Sequence, residues 1–247
     1  MFNYVNQNEK LYISPHIYAY IQNGDVYIKI NGKEKKISDL SFEDKISMFE
    51  DWVNGWFFNI LKVFANLNEI NFSGFIILTS SLPYVEMMGQ IEQGRSSNRQ
   101  SRTTFVEKFN KIFRAYKYED KIIFSKTCLS FEEFENTNEK KEISEKIYDK
   151  VRNGLMHNLM VKSGVKYSFK YPFTFEIEKS SIYSIKYIIK INPKRLIADL
   201  KEDFNEFIYK LKNSPKEDDI RNKFEKMFPR LQGKLDTLKR ELSGVER

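Results

Sequence analysis

Residues 41–66 read SFEDKISMFEDWVNGWFFNILKVFAN, and this stretch decides the fold class that we predict from the sequence. Its apolar residues recur every three or four positions along one wide face, which is the spacing of an amphipathic α-helix. Ser41 followed by Asp44 is typical of a capping box, in which two side chains bind free backbone N–H groups at a helix start. Because so wide an apolar face must be buried, we expect this helix to pack within a helical bundle.

Further helices are predicted on the C-terminal side of this stretch. Their expected positions are 74–92 with a kink near Pro83, 103–117, 141–161 with Ser144 as N-cap, a helix opened by Pro193, and a charged tail helix carrying an apolar stripe from Phe224 to Leu242. A less regular segment over 120–138 contains Cys128, which we expect to be a small core residue.

Two segments have the alternating pattern of β-strands instead. Residues 11–37 resemble a β-meander, because Asn-Gly pairs at 23–24 and 31–32 are type I′ turn signals. No chemistry is evident there, and we expect His16 to be a packing or surface residue. Residues 166–191 alternate as a hairpin. The predicted fold class is therefore mainly α, a helical bundle with β-hairpin and β-meander additions, α+β overall.

Four segments are expected in chain order. They are an N-terminal β-meander at 1–40, the helical bundle at 41–162, a β-hairpin plus helix packing on the bundle at 163–213, and the charged C-terminal helix at 214–247.

Composition narrows the functional classes. The 247 residues are 41% hydrophobic and 30% charged, which excludes a disordered chain. The net charge of +7 favours a polyanionic partner, although an AT-rich genome that encodes Lys freely would give the same bias. One cysteine and two histidines make an internal disulfide and a structural zinc site unexpected. Without a signal peptide or a long apolar span, we expect a cytoplasmic protein that has no membrane association.

The segment RNGLMH at 152–157 has the residue types that RNA cleavage needs. A ribose 2′-OH attacks the adjacent phosphate once a base takes its proton, and the leaving 5′-oxygen needs an acid. A histidine transfers protons near neutral pH, and an arginine offers a permanent charge with phosphate-shaped geometry. Asn153 and His157 are four residues apart and therefore share a helix face, and the long side chain of Arg152 can reach the same edge. We expect Arg152 and His157 to lie on an exposed edge of this helix, with Val151 and Leu155 facing away from it into the protein.

Arg152, Asn153 and His157 resemble the signature of the HEPN (higher eukaryotes and prokaryotes nucleotide-binding) superfamily, and the resemblance extends over about 41–161. It implies that Arg152 and His157 are the catalytic pair and Asn153 a polar supporting residue. It also implies a homodimer with two motifs facing one cleft. Many members are metal-independent endoribonucleases of toxin, phage-defence and CRISPR systems. The β segments lie outside the family's helices.

Other candidate residues follow from the chain around the motif. Glu86 lies between apolar residues of its helix, and it is either a surface-facing residue or a supporting residue near Arg152. Arg95, Arg99 and Arg102 lie in a polar loop that is either merely solvated or contacts RNA phosphates.

Two functions are compatible with these observations. The first is a metal-independent, cofactor-free endoribonuclease that leaves 2′,3′-cyclic phosphate and 5′-OH ends. We expect such an enzyme to act as a toxin or as an antiviral, abortive-infection effector, with an antitoxin or regulatory partner. The second is a non-catalytic HEPN-like protein that binds nucleic acid, a nucleotide or a protein partner. The intact pair Arg152 and His157 favours the first.

Overall fold

The structure is a computed structural model that describes residues 10–22, 25–67, 70–96, 99–158, 161–180 and 186–228. Contacts between residues divide the chain into two units. One unit combines Met1–Ile60 with Phe207–Arg247, and the other comprises Leu61–Glu206. This division follows contacts, whereas the four segments expected from the sequence follow chain order.

The first unit contains a four-stranded antiparallel sheet with strands in sequence order. Its strands are β1 (Leu11–Tyr12), β2 (Tyr18–Gln22), β3 (Asp25–Ile30) and β4 (Lys33–Lys36). Val26, Ile28 and Ile30 are buried on one face of β3 and alternate with half-buried residues, so the predicted meander is confirmed. Asn31 and Gly32 both have positive φ, as a type I′ turn requires, whereas the turn at 23–24 lies outside the described residues.

The helix predicted over 41–66 is confirmed, with one unexpected feature. It comprises α1 (Phe42–Val53), a π-helical turn at Asn54–Phe58, and α2 (Asn59–Asn66). The capping box is present, because the Ser41 hydroxyl accepts from the Asp44 backbone N–H while the Asp44 carboxylate accepts from that of Ser41. The wider π turn moves the residues that follow it around the helix axis, which a uniform period of 3.6 residues cannot show.

The C-terminal part of the first unit packs on α1. A helix over 219–228 places the ring of Phe224 at 5.5 Å from that of Phe49, and Lys45 forms an ion pair of 2.9 Å with Glu225. The predicted tail stripe is thus described only as far as Phe228, and its remaining leucines lie outside the described residues.

The second unit combines helices with a six-stranded mixed sheet. Its helices are α3 (Ile70–Gln93), α4 (Ser101–Ile112), α5 (Thr137–Ile147), a π-helical turn at Tyr148–Arg152, α6 (Asn153–Asn158), and the part of α7 (Pro193–Asn213) up to residue 206. Its strands are β5 (Arg114–Tyr118), β6 (Lys121–Ser125), β7 (Glu132–Glu133), β8 (Val165–Tyr167), β9 (Phe175–Lys179) and β10 (Tyr187–Ile191).

The order of these strands is β7-β5-β6-β9-β10-β8, and every pairing is antiparallel except the parallel pair β10–β8. The hairpin predicted over 166–191 is confirmed as β9 and β10. Phe109 on α4 packs against this sheet, with ring centroids 5.4 Å from Phe124 and 5.2 Å from Phe175.

The structure is mixed α and β, as expected overall, but the segment 41–162 is not the predicted HEPN-like helical bundle. The helix predicted over 103–117 ends at Ile112, and Tyr116 lies in β5. Strands β5, β6 and β7 then separate α4 from α5. Most side chains of β6 are buried, and β6 pairs with β9, which is about 50 residues later in the chain. The local apolar pattern therefore does not predict this sheet.

Two smaller predictions are also wrong. Cys128 is exposed and not a core residue. Ser144 does not cap its helix, because α5 begins at Thr137 and the Asn136 side chain accepts a hydrogen bond from the Glu139 backbone. Ser144 instead lies within the helix, where its hydroxyl donates to the carbonyl oxygen of Lys140.

The helices of the second unit are joined by a buried ionic cluster. The ammonium of Lys108 on α4 is almost fully buried and donates to Asp203 on α7 at 2.9 Å and to Glu92 on α3. Helices α3 and α4 approach closely beside this cluster, because Gly89 has no side chain to hold them apart. Among the described residues we find no helix with the length and hydropathy to cross a lipid bilayer.

Candidate functional site

The motif predicted from the sequence lies where a π-helical turn passes into α6. Arg152 is the last residue of the turn and Asn153 is the first residue of α6. The Asn153 N–H donates to the carbonyl oxygen of Tyr148, five residues earlier, which is the hydrogen bond of a π turn. Val151 and Leu155 are buried, as the sequence predicts for the face that opposes the motif. Single π turns are frequent at functional sites, so the local backbone geometry is typical of a functional site.

Arg152 is held by three side chains. Its Nη2 donates to Glu86 Oε2 at 2.7 Å, and its Nη1 donates to Asn153 Oδ1 at 3.0 Å. Its Cζ lies 5.3 Å from the ring centroid of Tyr148, which is within cation–π distance. The guanidinium is thereby fixed in one orientation.

Glu86 is a partner of Arg152 and not a surface residue. Only 8% of the Glu86 side chain and 16% of the Arg152 side chain are exposed. Of the two interpretations of Glu86, the surface-facing one is therefore wrong. A carboxylate so deeply buried needs a counter-charge, and Arg152 on another helix is that counter-charge.

The expectation that Arg152 lies on an exposed helix edge is also wrong. Its Nε is buried and has no hydrogen-bond partner among the described residues. The physical reason is the pairing with Glu86, which draws the guanidinium between α3 and the π turn. Two of its five N–H groups make the contacts described above, and the Nε–H is an unused donor.

The backbone of His157 lies in α6, four residues after Asn153. Positions with this spacing share a helix face, as the sequence predicts. The expected placement of the His157 side chain lies outside what the structure describes.

One of the three loop arginines lies beside this site. Arg102, in the first turn of α4, forms an ion pair with Asp149 of the π turn. A hydrogen bond between Ser101 and Tyr148 joins the same two elements. Burial is the largest effect on the Tyr148 hydroxyl, and it raises the pKa of that hydroxyl. The start of α4 is thus fastened to the turn that carries Arg152.

The other two arginines precede α4 in the chain. Arg95 and Arg99 are exposed, and Arg95 Nε donates to Gln93 Oε1 at 3.1 Å. Arg99 has a φ of +59°, in the left-handed region. Their side chains are accessible to a polyanion, and among the described side chains neither contacts Arg152 or Asn153.

Tyr148 and Asp149 also belong to this site, and neither is predicted from the sequence. Tyr148 precedes Arg152 by four residues in one helical run, a spacing at which side chains meet, so this signal was available. The pairing of Asp149 with Arg102 joins residues 47 apart and leaves no such signal.

No family model matches the chain, and no curated protein or solved structure matches it either. Within the described part of the chain, no three His, Cys, Asp or Glu side chains are grouped to hold a metal ion.

Proposed function

We propose that this protein is a metal-independent endoribonuclease of the HEPN type, with Arg152 and His157 as its catalytic pair and Asn153 as a supporting residue. The observation that carries the proposal is the Arg152 guanidinium, fixed by Glu86 and Asn153 at the start of the helix that contains His157.

The reaction needs only groups of the substrate and of these side chains. His157 takes the proton of a ribose 2′-OH, and the O2′ forms a bond to the adjacent phosphorus. The bond from phosphorus to the 5′-oxygen breaks, and that oxygen receives a proton from an acid. The products are a 2′,3′-cyclic phosphate and a 5′-OH end. The reaction consumes no water, and no group is oxidised or reduced.

Arg152 is suited to stabilise the charge that develops on the phosphorane. A donor held in place before the reaction begins costs no reorganisation in the transition state, and burial strengthens its field. The pairing with Glu86 and Asn153 supplies that fixed orientation and leaves other N–H groups for a phosphate oxygen. Arg95, Arg99 and Arg102 are proposed to bind flanking phosphates of the RNA.

A homodimer completes the proposed site. One His and one Arg per chain are few groups for a base, an acid and charge stabilisation, and a two-fold axis beside 152–157 would double them in one cleft. We propose that in the cell the protein acts as a toxin or a phage-defence effector, and that an antitoxin or another regulatory partner inhibits its activity.

The test is cleavage of mixed RNA by the purified protein in EDTA. We expect RNA to be cut with 2′,3′-cyclic phosphate ends and DNA to be spared, since DNA lacks the 2′-hydroxyl. His157→Ala should lower the rate by about 10²–10⁴-fold. His16→Ala is the matched control, because the chain has only these two histidines, and it should cleave like the wild type. Undiminished cleavage by His157→Ala, or strict dependence on added magnesium, would overturn the mechanism.

A non-catalytic binding protein is the second candidate, and the Glu86–Arg152 pair also favours it. The charge of Arg152 is already compensated within the chain, as in an ion pair whose role is structural. RNA binding by the wild type without any cleavage would establish this alternative.

A further inference from the structure

We propose that the outward face of the β1–β4 sheet binds single-stranded RNA, with bases stacked on a row of tyrosines and phosphates paired with neighbouring lysines. The choice of RNA as the ligand rests on the proposed function. The existence of a stacking platform rests on the geometry of this sheet alone.

Four tyrosines form the row, which crosses three strands. Tyr12 on β1 is paired with Tyr18 on β2, and Tyr20 on β2 is paired with Tyr27 on β3. Successive ring centroids are 5.7, 6.3 and 5.8 Å apart along the row. Because side chains alternate between the faces of a strand, all four rings project from the same side.

This face is not the one that builds the core. The residues between the tyrosines, among them Ala19, Val26 and Ile28, are at most 8% exposed and project from the opposite side. The tyrosines are half-buried or exposed, and Tyr12 is 54% exposed. The hydrophobic core therefore does not account for a row of aromatic rings here.

Lysines accompany the rings. The Nζ of Lys10 lies 4.7 Å from the ring centroid of Tyr18, and the Nζ of Lys36 lies 5.8 Å from that of Tyr27. Lys29 is paired with Tyr18 across the strands and so belongs to the same face. Ammonium groups spaced along an aromatic row match a strand in which phosphates and bases alternate.

Two carboxylates on this face are paired with neighbouring side chains of the same face. Asp25 forms an ion pair of 2.7 Å with Lys36. Glu34 is hydrogen-bonded to the Tyr20 hydroxyl, and desolvation together with that bond raises the pKa of Tyr20 to about 12. A tyrosine hydroxyl is neutral at physiological pH even with its ordinary pKa of 10.0, so the ring of Tyr20 adds no negative charge that would repel a phosphate.

The geometry favours a single strand over a duplex. Stacking on a protein ring needs an unstacked base, and in a duplex both faces of each base are covered by neighbours. Aromatic rings and cations arranged along a groove or sheet are the means by which proteins hold single strands with little sequence preference. We therefore expect tolerance of base sequence at this surface.

The experiment measures binding separately from cleavage. The probe is a fluorescein-labelled 2′-O-methyl RNA of about 12 nucleotides, within the range bound by one small domain. Methylation removes the nucleophile, so the probe cannot be cut by 2′-OH attack. Its dissociation constant is measured by fluorescence anisotropy with the full chain, and a duplex of the same sequence is the competitor.

The variant Tyr18→Leu/Tyr27→Leu should weaken binding by on the order of tenfold or more for each ring lost. Tyr209→Leu is the matched control, because Tyr209 is an exposed tyrosine outside the sheet, and it should bind within about twofold of the wild type. Lys10→Gln should lower the slope of log Kd against log salt by about 0.7, because Lys10 lies over the Tyr18 ring. Circular dichroism checks the fold, and Tyr12→Leu, at the most exposed ring, replaces the double variant if that variant unfolds.

Three results would overturn the proposal. These are no binding by the wild type, equal affinity for the duplex, and tyrosine variants that bind like Tyr209→Leu. Tight binding of the uncleavable probe together with no cleavage of ordinary RNA would support this surface and reject the proposed enzyme. Cleavage of ordinary RNA together with unchanged binding by the tyrosine variants would support the proposed enzyme and reject this surface.

Discussion

The buried pair between Glu86 and Arg152 should be a sensitive point of the second unit. Replacement of either residue by Met leaves the opposite charge buried, with 8% of the Glu86 side chain or 16% of the Arg152 side chain in contact with solvent. Loss of one partner from a buried ion pair costs about 3–5 kcal/mol, because the remaining charge has lost both its water and its counter-charge. Each single variant should therefore lose about 3 kcal/mol of unfolding free energy.

The double variant Glu86→Met/Arg152→Met should recover most of this loss. It contains two apolar side chains of similar length in place of two charges, an exchange that is often neutral or stabilising. We expect it to lie within about 1 kcal/mol of the wild type, so that the two substitutions are strongly coupled. For a chain of this size, the melting temperature of each single variant should fall by about 6–12 °C.

Urea unfolding followed by far-ultraviolet circular dichroism measures these free energies. Both tryptophans, Trp52 and Trp56, lie in the first unit, so their fluorescence follows that unit separately. Single variants as stable as the wild type, or losses that simply add in the double variant, would contradict the structural role of this ion pair. Because Arg152→Ala should destabilise the fold, its activity must be measured well below its melting temperature.

Two further predictions concern other parts of the chain. Gly89→Ala should cost about 1–3 kcal/mol despite the higher helix propensity of Ala, because the new Cβ would lie 2.9 Å from the Thr104 carbonyl oxygen; a higher urea midpoint would contradict this. In the first unit, desolvation raises the pKa of Asp51, but hydrogen bonds from Ser14 and His16 outweigh it, and the net pKa lies below the ordinary 3.8. The stabilisation by ionised Asp51 is thus complete well above pH 3.8, and it disappears as the pH falls through the lower pKa of Asp51 in the folded state. The difference in stability between the wild type and Asp51→Asn should therefore shrink on acidification, and tryptophan fluorescence measures it. A difference that stays constant down to about pH 2 would show that Asp51 has no shifted pKa.

The elements that the sequence predicted correctly have local signals. The capping box at Ser41 and Asp44 and the period of α1 involve residues at most four positions apart. The alternation of β3 and the hairpin β9–β10 likewise depend on near neighbours. Position 152 in a helical run also followed from the sequence alone.

Where the prediction failed, the deciding contacts join distant residues. Tyr116 belongs to a strand because β5 pairs with β6 and β6 pairs with β9, and the apolar pattern around it fits a helix equally well. The tyrosine row was overlooked for a related reason. The spacing of the tyrosines at 12, 18, 20 and 27 does not indicate a common surface, and only the strand register places them on one face.

The sequence by itself determined α1 with its capping box and the hairpin β9–β10, and it singled out Arg152, Asn153 and His157, since each of these depends on residues near one another in the chain. Only the tertiary structure decided that Arg152 is buried against Glu86, 66 residues away, and that Arg102 is fastened to the same turn. The pairing of two charges between separate helices is set by the packing of those helices. The sequence around each of these residues does not indicate its partner, because burial and proximity are properties of the folded chain.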